Sequence, residues 1–228
     1  GAQKIIFIGW RRYLYLWDKA YNGSNLFIKK LKELEKNCVG LSNNDSQSKE
    51  NRLKLLSKEL GIKFEENQLL LPNDIIEDFM LKKHIKRFDG LISEDLKKEL
   101  SKKGFIADIK RPEIIIIGFD VDLNYKKLIR VITHINNGVK FILTHSDPLC
   151  PYKNKQEIPD AGLMVNMVSE GYNTPLKNNI GENTKLGRSC EVSWSFVSAV
   201  TKSPNPKNPN IPNISIKAVR SIFPLKLI

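Results

Sequence analysis

The chain has 228 residues, 41% of them apolar, so it can bury the core of one large domain or two small ones. No apolar run approaches the roughly 20 residues a spanning helix needs, which excludes a helical membrane span. The net charge of +12 favours phosphate-rich partners such as RNA, a ribonucleoprotein or an anionic membrane surface, although lysines spread over helical faces are equally a solvated surface. Cys38, Cys150 and Cys190 are far apart and match neither a zinc spacing nor a disulfide framework. Together with an opening directly on a strand, this sets the expectation of an intracellular, reducing compartment, with cytoplasm and mitochondrial matrix undetermined.

Lys4-Ile5-Ile6-Phe7-Ile8 runs straight into Gly9-Trp10-Arg11-Arg12. This predicts a buried first strand of a parallel sheet, with chemistry expected just past its carboxyl end. The stretch from Trp17 to Ser24 is turn-like, and Ser24 or Asn25 can cap a helix from Leu26 to Lys36. Cys38 to Leu41 is a short second strand. The polar loop Ser42-Asn43-Asn44-Asp45-Ser46-Gln47-Ser48 follows, and Ser48 caps a helix over Lys49 to Leu60 that Gly61 closes.

The rhythm then repeats. Pro72-Asn73-Asp74 opens a helix to about Lys83. Phe88 to Ile92 is a strand, and Ser93 caps a helix through Lys103 that Gly104 stops. Glu113 to Phe119 carries four consecutive isoleucines, a fully buried strand. Asn124 caps Tyr125 to Asn136, Val139 to Leu143 is a further strand, and Ile158-Pro159-Asp160-Ala161-Gly162 starts a helix to Ser169. Residues 204–213, rich in proline and asparagine, read as an extended or irregular spacer, with a further strand within 214–228. The fold class is α/β.

Three stretches carry a resemblance, in order. Leu41-Ser42-Asn43-Asn44-Asp45-Ser46 resembles the second motif of the haloacid-dehalogenase superfamily, in its branch of 4-nitrophenylphosphatases and phosphoglycolate phosphatases, where Leu-Thr-Asn-Asn-Ser-Ser is typical. Ile117-Gly118-Phe119-Asp120-Val121-Asp122-Leu123-Asn124 is similar to a strand-to-helix crossing in that branch's inserted cap. Phe141-Ile142-Leu143-Thr144-His145-Ser146-Asp147, with Ile158 to Gly162, resembles the cap's substrate-facing loop and the helix after it. The resemblance covers about residues 4–181. It implies a Rossmann-like core, 1–72 with 176–228, interrupted by an α/β cap, 73–175.

The resemblance also implies a magnesium-assisted phosphoryl transfer in which one aspartate attacks phosphorus and a second, two residues on, is general acid and base. Carried over residue by residue, the nucleophile position falls on Gly9, the acid/base position on Arg11, and the lysine of the usual Gly-Lys-Pro on Glu182. Asp18 lies beyond the loop, Lys185 is three residues out of place, and no aspartate follows Asp160 to serve the metal. The phosphate-holding hydroxyl survives as Ser42, beside Asn43 and Asn44. These three either retain an anion site or form a strand-end turn that satisfies its own backbone.

Arg11 and Arg12 are two guanidinium forks that either pair internally or hold a phosphate ester, an RNA backbone or an acidic segment. Trp10 packs or stacks. His145 and Asp147 fall in the cap loop, facing a substrate or forming polar surface. His84 and His134 have no metal spacing, and Cys150 has no partner base in sequence. The expectation is a catalytically inactive relative that serves as a structural or binding subunit of a larger assembly. A ribonucleoprotein, a mitochondrial one included, is the first partner class. No cofactor is implied on that reading. The alternative is an active magnesium-dependent phosphatase of small phosphate monoesters.

Overall fold

The computed structural model describes residues 5–9, 14–16, 19–170, 203–205 and 208–213. It is an α/β protein built on two parallel sheets. The first holds β1 (Ile5–Gly9), β4 (Asn37–Leu41) and β5 (Leu69–Leu70), in the order β1-β4-β5. Between its first two strands come a small antiparallel ribbon, β2 (Tyr15–Leu16) with β3 (Lys19–Ala20), and helix α1 (Ser24–Glu33). Helix α2 (Lys49–Leu60) follows β4. One apolar cluster serves this half, drawing Ile8, Leu14, Ile28, Leu56, Leu60, Phe64 and Leu69 together.

Helix α3 (Pro72–Lys82) leads into the second sheet: β6 (Arg87–Leu91), α4 (Glu94–Lys102), β7 (Ile106–Ala107), β8 (Ile114–Ile117), α5 (Tyr125–Asn136) and β9 (Phe141–Leu143). The order is β7-β6-β8-β9, parallel throughout. Side chains alternate across a strand, so the four isoleucines of β8 divide evenly. Ile114 and Ile116 join Ile76, Met80, Leu96 and Leu100 on one face. Ile115 and Ile117 join Val131, Ile135, Met164 and Val168 on the other. Helices on both faces are what a parallel sheet requires. Gly90 of β6 sits where an added Cβ would lie 2.0 Å from the Ile116 carbonyl oxygen, so only glycine fits.

The predicted caps of α2, α4 and α5 stand: Ser48, Ser93 and Asn124 each accept from the backbone N–H three residues on. Elsewhere the structure corrects the sequence reading. The stretch after Trp17 includes strand β3 rather than turn alone. Helix α1 starts at Ser24 behind a left-handed Gly23, and it stops at Glu33, before the predicted Lys36, because Glu35 turns left-handed (φ 49°).

Ile158 and Pro159 do not open the helix after β9. They belong to β11 (Glu157–Pro159), which pairs antiparallel with β10 (Leu149–Pro151), and helix α6 runs Ala161–Glu170. The expected spacer contains a ribbon, β12 (Ser203–Asn205) with β13 (Asn208–Asn213). With two strands only, each is an edge and tolerates proline. The strand expected within 214–228 lies outside the described residues. Among the described residues no helix is long and apolar enough to cross a membrane. Cys38 and Cys150 are both thiols, and Cys190 lies outside the described residues.

A candidate site where the two sheets meet

Strands β1 and β4 run in parallel register with Gly9 opposite Leu41, so both end at the same level and the Ser42 loop leaves beside Gly9. Ser42 donates its N–H to the Leu70 carbonyl (3.2 Å), which anchors the loop to β5. Its hydroxyl accepts from the Asn44 N–H (3.2 Å), and Asn44 Oδ1 accepts from the Ser46 N–H (2.9 Å) and hydroxyl (2.6 Å). The side chains therefore do the work of a strand-end turn. Asn43 alone of the three reaches outward, its amide donating to the Asp147 carboxylate of the loop after β9. Of the predicted residues, then, Ser42, Asn43, Asn44 and Asp147 come together beside Gly9. Arg11, Arg12 and Glu182, with Trp10, Asp18 and Lys185, lie outside the described residues.

A helix N-terminus after such a loop ordinarily offers unpaired N–H groups to an anion. Here those of Ser48, Lys49 and Asn51 have partners. Ser48 N–H donates to Asp95 (2.7 Å) and Lys49 N–H to Glu99 (3.1 Å), both carboxylates coming from α4. Asn51 adds a second bond to Asp95 (2.8 Å), and Asn73 a bond to Glu99 (2.6 Å). Burial works to raise Asp95, yet the bonds from Ser48 and Asn51 hold it below the ordinary carboxylate range. The groove beside this seam, about 850 Å³ between α2, α3 and α4, is spanned by Lys49–Asp74 (2.8 Å) and Lys103–Glu77 (2.6 Å). Its walls carry both signs of charge and select neither.

Beneath the loop lies a buried polar network that sequence reasoning missed. Asp45 is fully buried; its Oδ1 accepts from the Phe119 N–H (3.0 Å) and its Oδ2 has no hydrogen-bond partner. His145 was expected in a substrate-facing loop or at the surface, but its side chain is only 7% exposed. The Thr144 hydroxyl meets His145 Nδ1 (3.0 Å), and His145 Nε2 meets Asp160 Oδ1 (2.8 Å), which also accepts from the Ala161 N–H (2.8 Å). Burial pushes the Asp45 carboxyl up, against the opposing pull of His145, the Phe119 N–H and Thr144. Burial would lower His145, but Asp160, with Asp45 and Asp147 near, outweighs it and holds the imidazole above its ordinary value. Gly162 lets α6 approach, since a Cβ there would lie 2.4 Å from the Ser146 carbonyl oxygen.

A second buried pair stands at the same edge of the second sheet. Lys127 Nζ lies 3.2 Å from both oxygens of Asp120, and burial lifts Asp120 to about 6 despite that lysine. Asp89 of β6 accepts both forks of Arg130. His134 meets the Ile109 carbonyl, so it serves the fold rather than a metal. Among the described residues no three acidic, histidine or cysteine side chains converge so as to hold a metal ion.

A parallel α/β core sheet, a loop of Ser-Asn-Asn at the end of its second strand, and a second α/β sheet reached after α2 and α3 are the parts that the haloacid-dehalogenase resemblance implies. The sequence model of haloacid dehalogenase-like hydrolases matches residues 13–106. The 4-nitrophenylphosphatase of Thermotoga maritima is 27% identical, with a TM-score of 0.66, covering 75% of this chain and 64% of that one. The p-nitrophenyl phosphatase of Archaeoglobus fulgidus (22%, TM-score 0.65, 74% and 64%) shares the fold. So does the glycerol phosphate phosphatase of Mycobacterium tuberculosis solved with magnesium (15%, TM-score 0.65, 75% and 51%). In sequence and fold the chain is thus similar to the haloacid dehalogenase-like hydrolases, on the 4-nitrophenylphosphatase branch. It spans less than two thirds of the length of these solved structures. No curated protein matches it.

Proposed function

We propose that the chain is a phosphatase-fold protein without turnover, acting as a structural or binding subunit of a larger assembly. The observation that carries this is the end of β1. Gly9 stands in register with Leu41, beside the Ser42 loop, where the resemblance calls for the attacking carboxylate, and glycine has no side chain to attack with. The carboxylates of Asp95 and Glu99 at the start of α2 also disfavour a transferring phosphoryl at that helix end. Division into a core, 1–72 with 176–228, and a cap, 73–175, is supported by the two separate sheets.

The charge of +12 supports a phosphate-rich partner, a ribonucleoprotein first, one of mitochondria included, with Arg11 and Arg12 holding the backbone. The second reading, a magnesium-dependent phosphatase of small monoesters, is favoured by the likeness to the Thermotoga maritima enzyme. Among the described residues the donors do not assemble a magnesium cradle.

The test is hydrolysis of 4-nitrophenyl phosphate with magnesium by the folded chain, alongside Gly9→Asp/Arg11→Asp. Silence is expected of the unmodified protein, and turnover overturns the proposal. RNA binding is expected to weaken with salt, and Arg11→Ala/Arg12→Ala to lower the salt slope by about 2.

A further inference from the structure

The network under the loop has one property the proposed function does not use: it joins the two sheets through groups that need protons. Asp45 comes from the loop after β4, Thr144 and His145 from the end of β9, and Asp160 from the residue before α6. Asp45 presses so closely on β8 that a Cβ on Gly118 would lie 2.2 Å from its Oδ2. No water or ligand fits between them, so this is a joint and not a pocket.

The protons can be placed by elimination. Three carboxyl groups, Asp45, Asp147 and Asp160, face one imidazole. Asp147 is exposed and engaged by Asn43. Asp160 has two donors, His145 and the Ala161 N–H. Asp45 has the Phe119 N–H, the pull of the Thr144 hydroxyl and of His145, and an Oδ2 with no hydrogen-bond partner; its full burial outweighs these, so the anion is costly. The arrangement with least uncompensated charge puts a proton on Asp45 and one on each ring nitrogen of His145, with Asp160 as the acceptor of His145 Nε2–H and the Ala161 N–H. His145 Nδ1–H then donates to the Thr144 oxygen, leaving the Thr144 hydroxyl proton to point away from the ring.

We propose that Asp45, Thr144, His145 and Asp160 form a proton-loaded interlock that fastens the Ser42–Ser46 loop to the ends of β8 and β9, and that Asp45 and His145 thereby act as positioning residues for Ser42 and Asn43. The interlock holds whether that loop binds a phosphate ester with turnover, without it, or not at all. When the loop lifts, Asp45 and His145 reach water and release their protons at their ordinary, lower values. Docking therefore takes up as many as two protons. Each contribution is fully present below the group's ordinary value, about 3.9 for an aspartate and about 6.5 for a histidine, and is lost as the pH rises from there to the docked-state value.

Amide hydrogen exchange of the full chain tests this at Phe119, whose N–H bonds Asp45, corrected for the intrinsic rate and followed from about pH 6 to about pH 9. Protection in the unmodified protein is expected to fall as the pH rises, by at most about tenfold per unit for each proton taken up. Asp45→Asn mimics the protonated acid, so protection at about pH 6 is retained and the part of the fall that belongs to Asp45 disappears. Asp45→Asn/His145→Gln makes it flat. Protection that is flat in the unmodified protein, or lost in Asp45→Asn at about pH 6, overturns the interlock. A nitrogen NMR spectrum showing a singly protonated His145 ring at about pH 6 overturns it as well, without any variant.

Discussion

The two sheets differ in what they need from the rest of the chain. The second is clad on both faces, α3 and α4 on one side and α5 and α6 on the other, and its central strand alternates between two cores. The first gathers one apolar cluster among the described residues, and the start of its helix α2 is completed by carboxylates that belong to the second half. The second sheet is accordingly a self-sufficient unit, while the first depends on a joint. The candidate loop sits at that joint, held from below by Asp45 and from the side by Asn43 and Asp147.

The comparison breaks most violently at Gly90. Gly90→Ala sets a methyl group against the Ile116 carbonyl, and backbone cannot swing aside; the expected loss is about 3 kcal/mol or more by urea denaturation, with both halves unfolding together. Next come matched truncations of fully packed residues. Ile116→Ala in β8 and Leu56→Ala in α2 should each cost about 2–5 kcal/mol. Only Leu56→Ala should leave the other half folded, visible as two transitions by circular dichroism and retained exchange protection in β6 and β8. A single transition in Leu56→Ala would mean that the second sheet is not self-sufficient.

Smaller effects sharpen the seam. Asp95 is held below its ordinary range, so its contribution is present at neutral pH and lost as the pH falls below about 4. Asp95→Asn should flatten that acid limb and cost about 0.5–1 kcal/mol at neutral pH, a modest value because the group is largely solvated. Smallest in stability is Asp120. Its carboxyl carbon should titrate near pH 6 by NMR, and Lys127→Met should move that midpoint upward, since the ammonium is what opposes burial.

The elements with local punctuation are legible in the sequence alone. Ser48 and Gly61, Ser93 and Gly104, and Asn124 and Gly138 bracket α2, α4 and α5 because a cap and a left-handed glycine act within one turn of the residues they serve. The ribbon of β10 and β11 is not legible, because Pro159 and Ala161 look like a helix start and only the pairing of Cys150 with Ile158 decides otherwise. Of the site, Ser42 to Asn44 and Asp147 are found through the resemblance. The interlock escapes sequence reasoning since Asp45 and Phe119 are 74 residues apart and no periodicity spans that distance. Its one trace in sequence is an aspartate where the resembling branch typically carries serine, a charge inside an otherwise small, neutral turn.

The capping of α2 by Asp95 and Glu99 has a consequence for how the protein is made. On the ribosome, Lys49 to Leu60 emerges well before Glu94 to Lys102. During that interval the nascent helix has its own Ser48 but lacks the two acids that complete its first turn. The N-terminal half therefore waits, with that first turn incomplete, until the later half arrives. Chaperone demand during synthesis should peak in that window and fall once α4 has cleared the exit tunnel.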